Sequence, residues 1–334
     1  MNRSTVRGWS RGAALALTAG VLVVLAPATG SAAPTTTDAA RQAVTKAGEQ
    51  LQARAEQVNQ ATEAAAEQQA AADAAGADAA EAQIAVDALA PQLRALALSG
   101  YTGSTRSRIA AFLTSGSADD LVDTMSTLDQ LAAHADGIVA QVAAARDAAR
   151  QAQATAAAAQ AQAEASVADL EAQQKTLERE MAGYEADLAR LSAADQVRVQ
   201  NVVAGPQLTT ADPAPAPTAA AGEAVRTALA QLGDRYVAGA SGPDAFDCSG
   251  LTMYAYAAAG VTLPHSSRAQ STMGTAVARA DLQPGDLVFF YTPVSHVGIY
   301  IGNGQMVHAS VPGRPVAVTS VDKGGYVGAR RVTG

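Results

Sequence analysis

The chain has 334 residues, a formal net charge of −8 at pH 7 and one cysteine, Cys248. A single cysteine excludes an intramolecular disulfide framework, and with no second cysteine and no close ligand pair a zinc site is not expected. The acidic balance excludes the basic footprint that nucleic-acid binding requires.

In chain order, Arg3, Arg7 and Arg11 precede any acid, an apolar run covers residues 13–25, and small residues cluster over 28–33. Basic, then apolar, then small is the pattern of a secretory signal, here residues 1–32 with cleavage after Ala32. The apolar run falls short of the ~20 residues that cross a bilayer as a helix. The protein is therefore expected to be exported.

Residues 38–204 are dominated by Ala, Gln, Glu and Asp, all but the last strong helix formers, with Pro91 the one helix breaker. Large residues recur at heptad spacing over Val167, Leu170, Leu177, Met181, Tyr184, Leu188 and Leu191, interrupted by Gln174. Val44, Leu51 and Val58 form a weaker seam of the same period. Turn signals at 99–104 and 114–117 then predict an antiparallel coiled-coil hairpin with a small helical tip at about 91–127. His134 falls in this Ala-rich region and is read as solvent-facing. Composition favours a spacer over a regulator-docking surface.

Residues 205–220 alternate Ala and Pro and predict a semi-rigid extended linker. Charge divides at the same place. Residues 33–220 hold 12 Lys and Arg against 24 Asp and Glu, whereas residues 221–334 hold 8 against 7. The remaining stretch, 221–334, suits one compact domain. Helices are predicted at 223–232, at 251–259 and after Ser266 or Ser267. Strands are predicted at 286–291, 296–301, 305–309, 316–321 and 326–331. Helices first and strands after indicate an α+β domain with an antiparallel sheet.

Cys248 falls at the start of the second of these helices, with Asp247 as its N-cap. Helix N–H groups and the helix dipole there favour thiolate and an oxyanion. A three-residue Gly302-Asn303-Gly304 hairpin loop pairs Ile301 with Gln305 and Gly298 with His308, putting His296 and His308 on one face. A two-residue Asn303-Gly304 turn shifts the register by one and separates them. Cys248, His296 and His308 together outline a thiol nucleophile, a base and an orienting group. His265 is read as a loop residue at the edge of the groove.

Several runs occur in the order seen in one family: residues 247–251 (Asp-Cys-Ser-Gly-Leu), 263–270 (Leu-Pro-His-Ser-Ser-Arg-Ala-Gln), 282–290, 296–302 and 307–309. On these the head resembles the NlpC family of bacterial cell-wall cysteine peptidases, which have a papain-like core. The resemblance implies Cys248 as nucleophile, His296 as base and His308 as third polar residue. It places Tyr236, Asp247, Ser249 and Ser266 at the oxyanion or substrate site and needs no cofactor. It also implies peptidoglycan stem peptides as substrate, commonly at the bond from D-glutamate to the diamino acid. The implied place of work is the cell wall or periplasmic space. One departure is that many members read Tyr-x-Trp-Gly-Gly where this chain has Tyr236-Val237-Ala238-Gly239-Ala240. The helical region looks like that of coiled-coil cell-division hydrolases controlled by a membrane complex of the FtsE and FtsX type, and because an unrestrained wall hydrolase is dangerous, the stalk is expected to fold back over the groove until a partner moves it. The rival readings are a catalytically silent wall-binding scaffold that recruits another hydrolase, and another acyl transfer on the same core.

Overall fold

The computed structural model describes residues 37–101, 117–209, 211 and 213–333. The expected secretory signal, residues 1–32, lies outside the described residues, as does the middle of the expected tip, 102–116. No helix among the described residues is long and apolar enough to cross a membrane.

Helix α1 (Thr37–Tyr101) runs antiparallel to α2 (Ala118–Ala189), with Arg54 facing Glu180 and Gln83 facing Gln153. Both continue further into 91–127 than the sequence predicted. The breaker at Pro91 costs a helix about 3 kcal/mol, but Ala- and Leu-rich flanks carry α1 through it. Ser117 caps α2 by accepting from the Asp120 amide, and Ser192 caps the short α3 (Ala193–Ala204) through the Asp195 amide. The seam is built where heptad spacing put it from Leu170 onward, whereas Val167, expected to open it, is exposed. Val44, Leu51 and Val58 bury against Leu177, Tyr184 and Leu188, joined by Val199 and Val203 of α3. Val311 completes this cluster from the C-terminal domain, so stalk and head share one apolar core.

The described residues between 205 and 216 form neither helix nor strand, and they are bound along the head rather than free. Leu208 donates its amide to Val318, Ala214 donates to Ile301, and Arg314 donates to the carbonyl of Gly205. Sequence composition does not report what this strap touches.

The head opens with α4 (Ala219–Ala230) and two short parallel strands, β1 (Arg235–Tyr236) and β2 (Ala245–Phe246). Then come α5 (Cys248–Ala258) and α6 (Ser267–Gln270). The sheet contains β3 (Thr275–Val277), β4 (Leu287–Phe290), β5 (His296–Gly302), β6 (Gln305–His308), β7 (Ala317–Ser320) and β8 (Tyr326–Arg331). It is antiparallel in the order β3-β8-β4-β5-β6-β7. One face packs Leu287, Phe289, Val297, Ile299 and Val307 under α4 and α5. Val288, Phe290 and Met306 form a second cluster on the other face. Strand alternation places His296, opposite Phe290, on that second face.

Candidate active site

Three elements meet at the site: the start of α5, the start of β5 and the end of β6. Asp247 caps α5 by accepting from the Gly250 amide at 2.7 Å, which fixes Cys248 as the first helical residue. The Cys248 sulfur is held by the backbone N–H groups of Val297 and Ser249. Dipole and amides were expected to depress this thiol, but here it lies well above the ordinary cysteine range. Burial pushes it up, followed by the negative charges of Asp247 and Glu56, and these outweigh the two amides. Cys248 is itself only partly buried, and the stalk's share in the shift is the charge of Glu56, which ranks behind burial and Asp247.

His296 Nε2 lies 2.8 Å from His308 Nδ1, with the two rings edge to face at 5.0 Å between centroids. The expected register holds: Ile299 pairs with Val307 and Tyr300 with Met306. The loop differs, however. It is a two-residue Asn303-Gly304 turn with both residues at positive φ, and a bulge at Ile301 absorbs the one-residue shift that this turn imposes. Gly298 is required beside the pair, since a Cβ there would lie 2.9 Å from the Met306 sulfur and 3.3 Å from the His308 Cβ. Both imidazoles are held well below the usual histidine range, first by burial and then by the charge of Lys323. His296 Nδ1 is buried and has no hydrogen-bond partner among the described residues. For that nitrogen to accept a proton, Nε2 must carry the hydrogen and donate it to His308 Nδ1.

Around the thiol, Tyr236 is pressed well above the usual phenol range by burial and by the charges of Asp247 and Cys248, so it keeps its donor proton. Asp247 is buried and also accepts from the Gly239 amide at 2.9 Å and pairs with His265 Nε2 at 3.0 Å. The edge-loop reading of His265 therefore gives way to that of a half-buried partner that pins the capping carboxylate. Ser249 is buried, and its carbonyl accepts from Thr252 and Gln270. Ser266 caps α6 through the Ala269 amide.

Sequence reasoning expected the stalk to fold back over the groove but did not name the residues that meet it there. Gln52, Glu56 and Asn59 of α1 are each less than 5% exposed. Asn59 donates to Asp247 Oδ2 at 2.8 Å and to Ser249 Oγ at 3.2 Å. Glu56 accepts from Ser266 Oγ at 2.6 Å, from the amide and hydroxyl of Ser267 at 2.8 and 2.5 Å, and from the Arg268 amide at 3.1 Å. Gln52 donates to the hydroxyl and carbonyl of Ser310. A polar stripe at 3–4 spacing is an ordinary solvated helix face, so nothing in the sequence marked these residues. Ala238, standing where the resembled family has Trp, packs against the stalk's apolar cluster.

Residues 233–331 match the family model described as the NlpC/P60 family, and the head is an NlpC/P60 domain. The chain is 52% identical over 103 residues to a probable endopeptidase of Mycobacterium tuberculosis, a match covering 31% of this chain and 27% of that protein. It is 48% identical over 108 residues to a probable endopeptidase of Corynebacterium glutamicum, covering 32% of this chain and 52% of that protein. The chain thus spans about a quarter to a half of the length of these two relatives. Among solved structures, the peptidoglycan hydrolase RipB from Mycobacterium tuberculosis is 36% identical, with coverage of 34% of this chain and 64% of that one and a TM-score of 0.32.

Proposed function

We propose that this chain, with an NlpC/P60 domain as its head, is an exported peptidoglycan endopeptidase that hydrolyses stem peptides and is latent while α1 covers its groove. The observation that carries the catalytic reading is the His296–His308 pair at 2.8 Å with His296 Nδ1 left unpartnered. The N–H of the next residue, Val297, reaches the lone thiol at the start of α5.

The reaction is acyl transfer through Cys248. The thiol proton passes to His296 Nδ1 as sulfur attacks the peptide carbonyl. The oxyanion is stabilised by N–H groups at the start of α5 and by the Tyr236 hydroxyl. The C–N bond breaks, and the leaving amine takes the proton from His296. Water then loses a proton to His296 and attacks the thioester, and the thiol leaves reprotonated. His308 fixes the tautomer that makes each transfer possible. The bond from D-glutamate to the diamino acid is the substrate that the family resemblance implies, and an FtsE/FtsX-type membrane complex is the regulator it implies.

Latency has its own support. Asn59 and Glu56 occupy polar groups along the groove, and burial and neighbouring charges favour the neutral forms of both thiol and imidazole. Opening restores water, removes Glu56 and lowers the thiol. The test is digestion of purified peptidoglycan by residues 33–334, by the same chain carrying Glu56→Ala with Asn59→Ala, and by Cys248→Ala, with products identified by mass spectrometry. Stem-peptide cleavage that rises in the double variant and vanishes without the thiol is expected. Cleavage that persists in Cys248→Ala overturns the mechanism, and no cleavage by a folded, reduced double variant moves the reading to the scaffold.

A further inference from the structure

His265 takes no part in the acyl transfer itself, yet its ring reaches the residue before the nucleophile. It stands in the loop between α5 and α6, and its Nε2 lies 3.0 Å from Asp247 Oδ1. The Asp247 side chain is 1% exposed, and a buried carboxylate is costly unless it is paired and hydrogen-bonded. Among the described residues, His265 is the one basic side chain within ion-pair distance of it. To donate to a carboxylate, Nε2 must carry a hydrogen. The backbone makes room for this approach. A Cβ at Gly250 would lie 2.9 Å from His265 Nε2 and would collide with the Ala240 carbonyl oxygen, so glycine lets both close on the helix start.

Asp247 is a junction as well as a cap. Its Oδ1 accepts from the Gly250 amide at 2.7 Å, which sets the start of α5, and its Oδ2 accepts from the Gly239 amide at 2.9 Å, which ties down the loop after Tyr236. The Asp247 amide donates back to the Ala240 carbonyl at 2.8 Å. Cys248 and Tyr236 are thus registered to one carboxylate. Asn59 of the stalk donates to Oδ2, whereas His265 sits on Oδ1, so the His265 contact belongs to the head alone. The carboxylate also has a cost, because its charge opposes negative charge developing on the neighbouring sulfur. A cation on Oδ1 offsets that charge. Burial acts to lower the His265 imidazole, but the hydrogen bond and charge of Asp247, with the charges of Glu63 and Glu56 of α1, raise it and extend its charged form to higher pH.

We propose that His265 is a positioning residue for the peptidase reaction, acting through Asp247: it pins the carboxylate that joins the start of α5 to the loop after Tyr236 and offsets its negative charge beside Cys248. The proposal rests on the endopeptidase reading and adds the group that holds its nucleophile in register. The neutral ring still donates from Nε2, so deprotonation weakens the hold without abolishing it, a charge-assisted hydrogen bond being roughly twice as strong as a neutral one.

The experiment uses residues 33–334 carrying Glu56→Ala and Asn59→Ala, with His265 intact and as His265→Arg, His265→Gln and His265→Ala. Arginine keeps donor and charge, glutamine keeps a donor alone, and alanine keeps neither. Urea unfolding shows that each chain is folded under the assay conditions. On a synthetic stem peptide, kcat should fall about threefold to tenfold in His265→Gln and about tenfold to a hundredfold in His265→Ala, with KM within about twofold and most of the rate kept in His265→Arg. With His265 intact, kcat/KM should step down at alkaline pH to a lower plateau rather than to zero, and that step should be missing from the arginine and glutamine chains. A loss carried by KM, equal losses in His265→Arg and His265→Ala, or an alkaline step that survives in His265→Arg overturns the proposal. Alkylation of Cys248 by iodoacetamide across pH decides it without turnover. Its midpoint should move up in His265→Gln and His265→Ala and stay in place in His265→Arg. If no peptide is cleaved, that pattern upholds His265 while the endopeptidase reading falls. A midpoint that does not move sinks the His265 assignment.

Discussion

The two ends of the helical hairpin have similar composition and do different work. At the end near the head, residues 44–58 and 177–203 bury Val44, Leu51, Val58, Leu177, Tyr184, Leu188, Val199 and Val203. The same stretch of α1 also buries three polar residues against the groove. Further out, the contact face of α1 is mostly Ala, and Ile84, Leu98, Val122, Leu131 and Val139 are exposed. An Ala stripe lets helices approach closely but removes little apolar area from water, at roughly 25 cal/mol per Å². The outer hairpin therefore gives reach, while the inner end is held by large side chains and by specific hydrogen bonds to the head around Cys248. A pull at the far end acts on a strongly anchored near end, which is the geometry of a lever on a latch.

Four expectations break or sharpen that contrast. The largest is chemical. In a chain with the latch removed by Glu56→Ala and Asn59→Ala, adding Cys248→Ala should cut stem-peptide turnover by about 10⁴-fold or more, measured by product chromatography. His308→Ala in the same background should cost on the order of 10²-fold, with His308→Gln retaining part of the rate, since only the tautomer anchor is lost.

Next comes the latch itself. Glu56 accepts four hydrogen bonds from the head, and hydrogen bonds to charged groups contribute roughly 1.5–3 kcal/mol each. Glu56→Ala should raise both turnover and the alkylation rate of Cys248 by about tenfold to a hundredfold. Glu81→Ala in the outer hairpin should change neither. Equal effects at the two ends would erase the division. Ala238→Trp, which restores the ring common in the resembled family, should open the latch in the same direction as Glu56→Ala, because it enlarges a residue packed on the stalk cluster.

Stability should divide in the same way. Leu51→Ala should cost about 2–5 kcal/mol in urea unfolding, whereas Ile84→Ala, whose side chain is exposed, should stay within about 0.5 kcal/mol.

The smallest effect is in pH. Burial acts to lower His265 and to raise Asp247, but their hydrogen bond and opposite charges prevail, so His265 is raised and Asp247 lowered. A raised imidazole contributes stability that is complete below its unfolded value and is lost as pH rises through its folded value. A lowered carboxyl contributes stability that is present above its unfolded value and is lost as pH falls through its folded one. The pair is therefore at full strength between about 4 and about 6.5. Above that window the His265 contribution, on the order of 1 kcal/mol, should fade in urea titrations of the intact chain and be missing from His265→Ala.

Much of this was legible in the residues themselves. Heptad spacing fixed which face of each long helix is buried, because 3.6-residue periodicity is local. Asp247 before a helical run announced the cap that positions Cys248. The register joining His296 to His308 was also readable, although the Asn303-Gly304 turn reached it by a different route. That turn alone misplaces the rings, and the bulge at Ile301 restores them. A bulge is settled by strand twist and by neighbours on both sides, not by the local sequence. The strand β3 and the short β1–β2 pair were not legible, being two or three residues long with no room for a period.

What only the tertiary structure decided is the state of the site. The sequence by itself determined a cysteine at a helix start, a pair of histidines on one strand face and a long helical hairpin before them. It carried no sign that Gln52, Glu56 and Asn59 of that hairpin meet Ser310, Ser266 and Asp247, up to 258 residues away in the chain. The reason is physical. Helix propensity, capping and heptad spacing are interactions among residues a few positions apart, so they are written locally. The protonation of Cys248 and His296 depends on what excludes water and which charges arrive from elsewhere. The same thiol that local amides would ionise is pushed toward its neutral form by burial, by Asp247 and by the Glu56 of a helix whose polar stripe looks solvated until it is docked.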